Sequence, residues 1–455
     1  MGIGHVLVLP CPGESSVNSL MRFSREMAKH GLKITFVNTE IIHKRIVSAM
    51  PEEDMRSLMD SNINLVSIPD GLERSDVERK NIGKVTEVMA QIMPARVEKL
   101  IKAINASNGD ENITCIVADG VLGWAMKLAN KMGIRGVVYW CAAAAAFALQ
   151  MSVPNLIHDG ILDADGFSTK KVEHIQLSPG IPAIETTNLP WAAMPMADPS
   201  KQKILFHFMT RNMEPCKLAD WWLCNTAYEL EPASVALFPK LLPIGPLLEN
   251  NQTGQFRQED SSCLSWLDQQ APCSVIYISF GSFGTLDPVQ FQELALGLKL
   301  INRPFLWAVD QRNIDRAKNE FPDESEEACT KIVDWAPQTK VLAHPAVACF
   351  ISHCGWSSVI EGISNGVPFL CWPLFFDHFH DKSYICDEWK VELGFDRAEN
   401  GVILRGEVAR KVEQLLSNES IRARALKLKE TILKTRAQGG QSWKNFNNFV
   451  KWLKQ

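Results

Sequence analysis

Residues 10–20 read PCPGESSVNSL, and Glu14, Ser15 and Ser16 place a carboxylate and two hydroxyls where an extended run gives way to a helical one. The run before them, HVLVLP at 5–10, is apolar without helical period. The stretch after them, VNSLMRFSREMAKH at 17–30, spaces Val17, Leu20, Met21, Phe23 and Met27 along one face. A strand feeding a helix is expected. In open α/β sheets ligands sit beyond the carboxyl ends of the strands, and the first turn of the next helix offers free N–H groups to an anion or a reacting atom. The serines can serve either as caps of that helix or as part of the chemistry.

The elements that must position this loop follow a regular alternation. KITFVN (33–38), NLVSIP (64–69), a helix around 83–106, TCIVAD (114–119), a helix over 122–132 and VVYWC (137–141) continue the order strand, helix, strand. That order predicts a parallel, doubly wound sheet. Around residues 246–262 the chain turns rich in Asn, Gln and charge and poor in periodic apolar residues, which reads as a linker between domains at 1–245 and 263–437. The alternation then restarts with VIYISFGS (275–282), a helix at 288–301, FLWAVD (305–310), KIVDWAP (331–337), ACFISHCG (348–355) and PFLCWP (368–373). The fold expected is α/β, with two Rossmann-like domains facing a cleft. An amphipathic helix at about 438–455 is expected to pack back on the first domain.

Composition narrows the classes of function. A net charge of −5 without a basic run speaks against nucleic acid as partner. No uncharged apolar run approaches the length of a membrane span, and the amino terminus lacks a basic segment with a cleavage site, so a cytoplasmic chain is expected. The twelve cysteines are scattered, without metal-ligand spacing, and read as reduced thiols; Cys354 is assigned to packing. Asp163 and Asp165 in ILDADGF imitate a metal-binding pair but sit in a turn-like segment, and no metal or cofactor is expected. Trp124 and Trp140, near strand ends, are candidates for an acceptor pocket or for plain core.

The densest signal runs from Trp335 to His378, WAPQTKVLAHPAVACFISHCGWSSVIEGISNGVPFLCWPLFFDH. With WAPQ, VL-x-H, HCGW, the Glu five residues beyond that Trp, GVP and an acidic residue next to the end, it resembles the signature box of the plant UDP-dependent glycosyltransferases of family 1. FVNTE (36–40), CNTAYELEP (224–232), LPIGPLL (242–248), SWLDQQ (265–270) and SFGS (279–282) extend the resemblance over most of the chain. It implies a GT-B fold, a UDP-sugar as co-substrate in the second domain and a small lipophilic acceptor in the first. It also implies site residues: Trp335 stacked on uracil with Ala336 pairing through its backbone, and Gln338 and Glu361 on the ribose. His353, Ser282, Ser357 and Ser358 fall near the diphosphate, and Trp356, Asp377 and His378 near the sugar. The physical chemistry agrees. An indole offers a flat face at low entropic cost, an ionised carboxylate only accepts hydrogen bonds, and helix N-termini neutralise phosphate without a metal.

Besides Gly13, Glu14 and Ser19, which stand where Ala, Gln and Pro are common, three features depart from the family pattern. The loop usually ends in Gly-His, whose His is the general base held by an Asp on a nearby strand; here that position is Ser16, while the partner remains as Asp119. Ser357 stands where Asn is usual and His378 where Gln is usual. Ser16, unable to act as a base alone, is expected to cap the helix, leaving the proton to Asp119, to Glu14 or to an already acidic acceptor. Two readings stay open. One is an inverting, metal-independent transferase, expected to act as a monomer, that glycosylates a phenol, carboxylate or terpenoid in plant specialised metabolism. The other is a repurposed relative that binds, isomerises or cyclises a small natural product.

Overall fold

The computed structural model describes residues 4–50, 52–72, 82–107, 112–193, 198–248, 259–310, 313–321 and 329–455. Most of the expected linker, residues 249–258, lies outside the described residues. The chain divides into two compact units, Met1–Arg257 with Thr435–Gln455, and Gln258–Lys434.

The first unit holds strands β1 (His5–Leu9), β2 (Lys33–Thr39), β3 (Ile63–Ile68), β4 (Ile113–Asp119) and β5 (Arg135–Trp140). A short antiparallel ribbon follows, β6 (His174–Ile175) with β7 (Ile184–Glu185), and then β8 (Trp221–Cys224) and β9 (Leu241–Pro243). Seven of these make one parallel sheet in the order β3-β2-β1-β4-β5-β8-β9. The chain builds outward from β1 in one direction and then returns to lay β4 on its other side, so the carboxyl ends of β1 and β4 part at a topological switch point.

The helix after β1 runs Glu14–Lys29 and buries Val17, Leu20, Met21, Phe23 and Met27 against the sheet. Phe23 stacks on Tyr139 at 4.8 Å and on Phe449 at 5.7 Å. Phe449 belongs to the terminal helix Gln441–Leu453, which is held further by Asn445 Nδ2 donating to the Pro243 carbonyl at 2.8 Å. Full burial of each such ring contributes about 1.5–3 kcal/mol.

The second unit repeats the plan with β10 (Val275–Ser279), β11 (Phe305–Ala308), β12 (Thr330–Val333), β13 (Val347–Ser352), β14 (Phe369–Cys371) and β15 (Glu392–Gly394). Their order, β12-β11-β10-β13-β14-β15, puts its switch point between β10 and β13. The helix Pro288–Ile301 starts on Pro288 with Asp287 accepting from the Val289 and Gln290 N–H groups, which satisfies two donors a bare helix start leaves open. It packs against the helix Arg405–Leu416 where Gly297, lacking a Cβ, lets Val408 approach.

Candidate functional site

In the first unit the chemistry gathers at the switch point. The helix expected over 17–30 starts at Glu14, with Gly13 as N-cap and no side-chain cap bond. Ser16 therefore sits in the third helical position, not at the cap, which corrects the capping role read from the sequence. The physical reason is a stronger acceptor nearby. The buried Ser16 hydroxyl donates to Asp119 Oδ2 and accepts from the Cys11 N–H at 3.0 Å. Glu14 opens the helix, where a carboxylate suits the positive end of the dipole.

Asp119 closes β4 and caps a short 3-10 turn, its Oδ1 accepting from the Val121 N–H at 3.1 Å, while the Cys141 thiol points at Oδ2 from 3.6 Å. Gly120 is needed beside it, because a Cβ there would lie 2.5 Å from the Trp140 ring. Burial pushes the Asp119 carboxyl above the ordinary Asp range, and the bonds from Ser16, Val121 and Cys141 pull partly back. The result is a desolvated carboxylate, more basic than an exposed one, with a hydroxyl locked onto it.

At the carboxyl ends of β1 and β2 the first unit contains a small hollow lined by Leu9, Ile42, Met89, Asn38, Thr39 and Trp124. Both side-chain polar atoms of Asn38, the Thr39 hydroxyl and the Trp124 indole N–H are buried there without a hydrogen-bond partner among the described residues. Buried polar groups are rarely left so, which makes these atoms candidates to meet a ligand, although the hollow itself has room for only about one water molecule. Trp124 thus lines a pocket as the sequence allowed. Trp140 does not: its Nε1 is spent on the Ala143 carbonyl at 2.8 Å and its ring packs on Phe147. Asn38 and Thr39 were missed as site residues, although a polar pair at the carboxyl end of a strand next to the switch was the available signal.

In the second unit the predicted donor residues follow β10, β12, β13 and β14. Gln338 opens the helix Gln338–Ala343, its Nε2 donating to Ser358 Oγ and to Glu361 Oε2, both at 2.9 Å, while Tyr277 donates to its Oε1 at 3.1 Å. An amide and a carboxylate set side by side can address two neighbouring hydroxyls. Trp335 is half-buried, with its carbonyl accepting from the Asp260 N–H at 2.9 Å; Ala336 is buried beside it. Tyr277 was not anticipated, since its role depends on a partner 61 residues away.

His353 follows β13 and precedes the helix Trp356–Asn365, whose N-cap is Gly355 without a side-chain cap bond. Cβ atoms built on Gly281 and Gly355 would stand 2.7 and 2.6 Å from His353 Nε2, and Gly281 has φ +69. Only glycine lets the backbone wrap this ring so closely, in front of a helix start that offers N–H groups to an anion. Burial drives His353 down to about 4, and burial with the neighbouring His353 drives His378 well below its ordinary value, the two rings meeting edge to face at 4.8 Å. Both are therefore neutral near pH 7. Burial also pushes the Asp377 carboxyl up to about 6.

Ser282 and Ser357 are half-buried. The Trp356 indole is buried against Trp389 at 6.2 Å, so the group it can present is its main-chain N–H in the first helical turn. The Asp163–Asp165 pair is engaged locally: Asp163 closes its own turn and Asp165 pairs with Lys203 and His207. No helix among the described residues is long and apolar enough to cross a membrane.

Comparison with known proteins gives this geometry its relatives. Residues 195–435 match the family model for UDP-glucoronosyl and UDP-glucosyl transferases. The chain is similar to UDP-glycosyltransferase 83A1 of Arabidopsis thaliana, at 44% identity over 100% of this chain and 97% of the relative. It is similar also to linamarin synthase 1 of Manihot esculenta, at 32% over 98% and 96%. Among solved structures, Os79 from O. sativa in complex with UDP superposes with a TM-score of 0.81 at 24% identity, covering 98% of this chain and 100% of that one. A UDP-glucose: anthocyanidin 3-O-glucosyltransferase in complex with UDP gives 0.81 at 23%, covering 100% and 99%. With these matches along its whole length and two Rossmann-like sheets in the GT-B manner, the chain belongs to the family 1 UDP-glycosyltransferases of plants.

Proposed function

We propose that this UDP-glycosyltransferase inverts the anomeric carbon of its donor sugar without a metal ion, and that Asp119 and Ser16 together move the acceptor's proton where relatives use a histidine. The observation that carries the proposal is the bond from Ser16 Oγ to Asp119 Oδ2. A hydroxyl offers one proton and two lone pairs. Here the proton is committed to the carboxylate and one lone pair to the Cys11 N–H, which leaves one lone pair to receive a proton. As the acceptor oxygen attacks C1 of the sugar and the bond to UDP breaks, the acceptor's proton passes to Ser16 and the serine's own proton passes to Asp119. Desolvation makes the carboxylate a better base for this.

The acceptor is a small lipophilic molecule with a hydroxyl or carboxyl group, a reading supported by the unmatched polar atoms of Asn38, Thr39 and Trp124 among apolar side chains in the first unit. UDP is assigned to the second unit, with Trp335 and Ala336 at the base, Gln338 and Glu361 at the ribose, and His353, Ser282, Ser357 and Ser358 with the 356–365 helix start at the diphosphate. Trp356, Asp377 and His378 fall to the sugar. The test is UDP release with several UDP-sugars against phenols, carboxylic acids and terpenoid alcohols, for wild type, Asp119→Asn and Ser16→Ala. Turnover that needs Asp119 supports the relay. Sugar transfer unchanged in Asp119→Asn would remove it, and conversion of an acceptor without UDP release would favour a repurposed site.

A further inference from the structure

Behind the donor loop the second unit contains a cluster that sugar transfer does not use. Cys371 ends β14, Cys386 lies in the π-helical turn Tyr384–Glu388, and Glu392 opens β15. Their Sγ, Sγ and carboxylate oxygen atoms all lie within 4.8 Å of one another. We infer that these three side chains form a binding site for a soft divalent cation, zinc in a reducing cell.

Three arguments carry it. The first is size. Three points no farther apart than 4.8 Å enclose a position at most about 2.8 Å from each, which is 4.8 Å divided by √3. Zinc wants about 2.3 Å to sulfur and about 2.0–2.2 Å to oxygen, so the ligands need to close in by roughly half an ångström. The second is donor chemistry. Two thiolates with one carboxylate suit zinc or cadmium and not magnesium or calcium, and a water can complete four-coordination. Glu392 is already oriented, its Oε2 accepting from the Cys371 N–H at 3.3 Å, which is the kind of outer bond that fixes a ligating carboxylate.

The third is charge. Zinc displaces one proton from each thiol, so two thiolates, one carboxylate and Zn²⁺ sum to −1. Lys382 supplies a cation beside the cluster, its Nζ and Glu392 Oε1 both facing Gly394. The occupied site plus this lysine is therefore neutral, which a buried site requires. Both sulfur ligands start as thiols, so uptake releases two protons per ion. Cys371 and Glu392 are buried, whereas Cys386 is half-buried and supplies the way in.

The ion would join the strand before the donor loop to the segments after it, bracketing Asp377 and His378. It would be structural or regulatory, and the transfer chemistry needs nothing from it.

The full-length chain, reduced with a phosphine and stripped by a chelator, is titrated with zinc against a colorimetric competitor and, separately, with cadmium while the ultraviolet thiolate band is followed. One equivalent of each metal is expected, with a thiolate band and two protons released. Cys386→Ser and Glu392→Gln should each weaken zinc by about tenfold or more, whereas Cys329→Ser, at an exposed thiol outside the cluster, should not. UDP binding by each variant shows that it is folded, and Cys386→Ala replaces Cys386→Ser if the latter is not. No stoichiometric zinc in the wild type, or equal affinity in both folded cluster variants, overturns the site.

Discussion

The two switch points of this molecule have the same architecture and opposite chemistry. In each unit a loop after the first strand of the sheet faces the end of the strand that returns beside it, β1 against β4 and β10 against β13. The returning strand delivers Asp119 in one and His353 in the other, and both are buried. Desolvation favours the neutral form of either group, so it raises the acid and lowers the imidazole. In the first unit this gives a stronger base. In the second it gives an uncharged ring, hydrogen-bonded to the Ser279 backbone, in front of a helix start that offers N–H groups and positive potential to an anion.

The comparison breaks most visibly at Asp119. Asp119→Asn keeps shape and removes the base, and kcat is expected to fall about 10²–10⁴-fold while UDP affinity, measured by calorimetry, stays as it was. Thermal stability at neutral pH should not fall. A carboxyl whose folded pKa is raised contributes its stability at low pH and loses it as pH rises through that pKa, so at pH 7 the charge is a cost that the amide removes. A variant that loses UDP affinity along with activity would show the first unit's carboxylate to be structural.

Glu361→Ala is the reciprocal break in the second unit. It removes the acceptor that Gln338 now uses and the charged contact proposed for the ribose. UDP should bind more weakly by about 1.5–3 kcal/mol, with kcat at saturating donor little changed. Calorimetric affinity equal to wild type would take the nucleotide away from this site.

Ser16→Ala sharpens the comparison. The relay is lost but the base remains, so a loss of about tenfold in kcat is expected, below the range for removing the base itself. The serine hydroxyl donates to the carboxylate and so lowers its pKa; without it Asp119 rises further, and the acid limb of kcat must move to higher pH. The profile is recorded at saturating donor, because Asp377, up at about 6, titrates in the donor region. A limb that stays in place or moves to lower pH would separate Ser16 from the base.

How much of this could be read beforehand depended on whether the signal was local. The central strands of both sheets were legible as short apolar runs, and the residues the resemblance assigns to the donor, Ser282 apart, stood out because they share one stretch of chain. β8, β9 and β15 were not, being three or four residues long with no period to detect. The helix expected over 83–106 is two, Ile82–Gln91 and Met93–Ser107, with Pro94 beginning the second. Ser16 was misread as a cap because the helix start was placed three residues late, and because a hydrogen bond to a residue 103 positions away has no local trace. Asn38, Thr39 and Trp124 share a pocket for the same non-local reason.

The smallest effect is expected at His378, where the second unit's neutral imidazoles meet. His378 lies at the start of the helix His378–Ser383, its Nδ1 accepting from the Phe375 N–H at 3.4 Å and its ring edge-to-face with His353. That bond to Phe375 fixes the tautomer with the proton on Nε2, so the side chain can donate once toward a sugar and cannot accept. An amide at the same place offers a donor and an acceptor together. The donor preference is therefore expected to fall on a sugar other than glucose, with galactose or a pentose implied by the resemblance to family members that carry His here, and His378→Gln should shift the ratio of UDP-glucose to UDP-galactose turnover toward glucose by a few-fold, within the about 0.5–1.5 kcal/mol of one neutral hydrogen bond. Transfer rates with a panel of UDP-sugars, at one acceptor and saturating donor, measure this. A ratio that does not move while UDP affinity holds would mean that the ring packs beside His353 and never reaches the sugar. The preference would then have to be set by Asp377 and the backbone at Trp356.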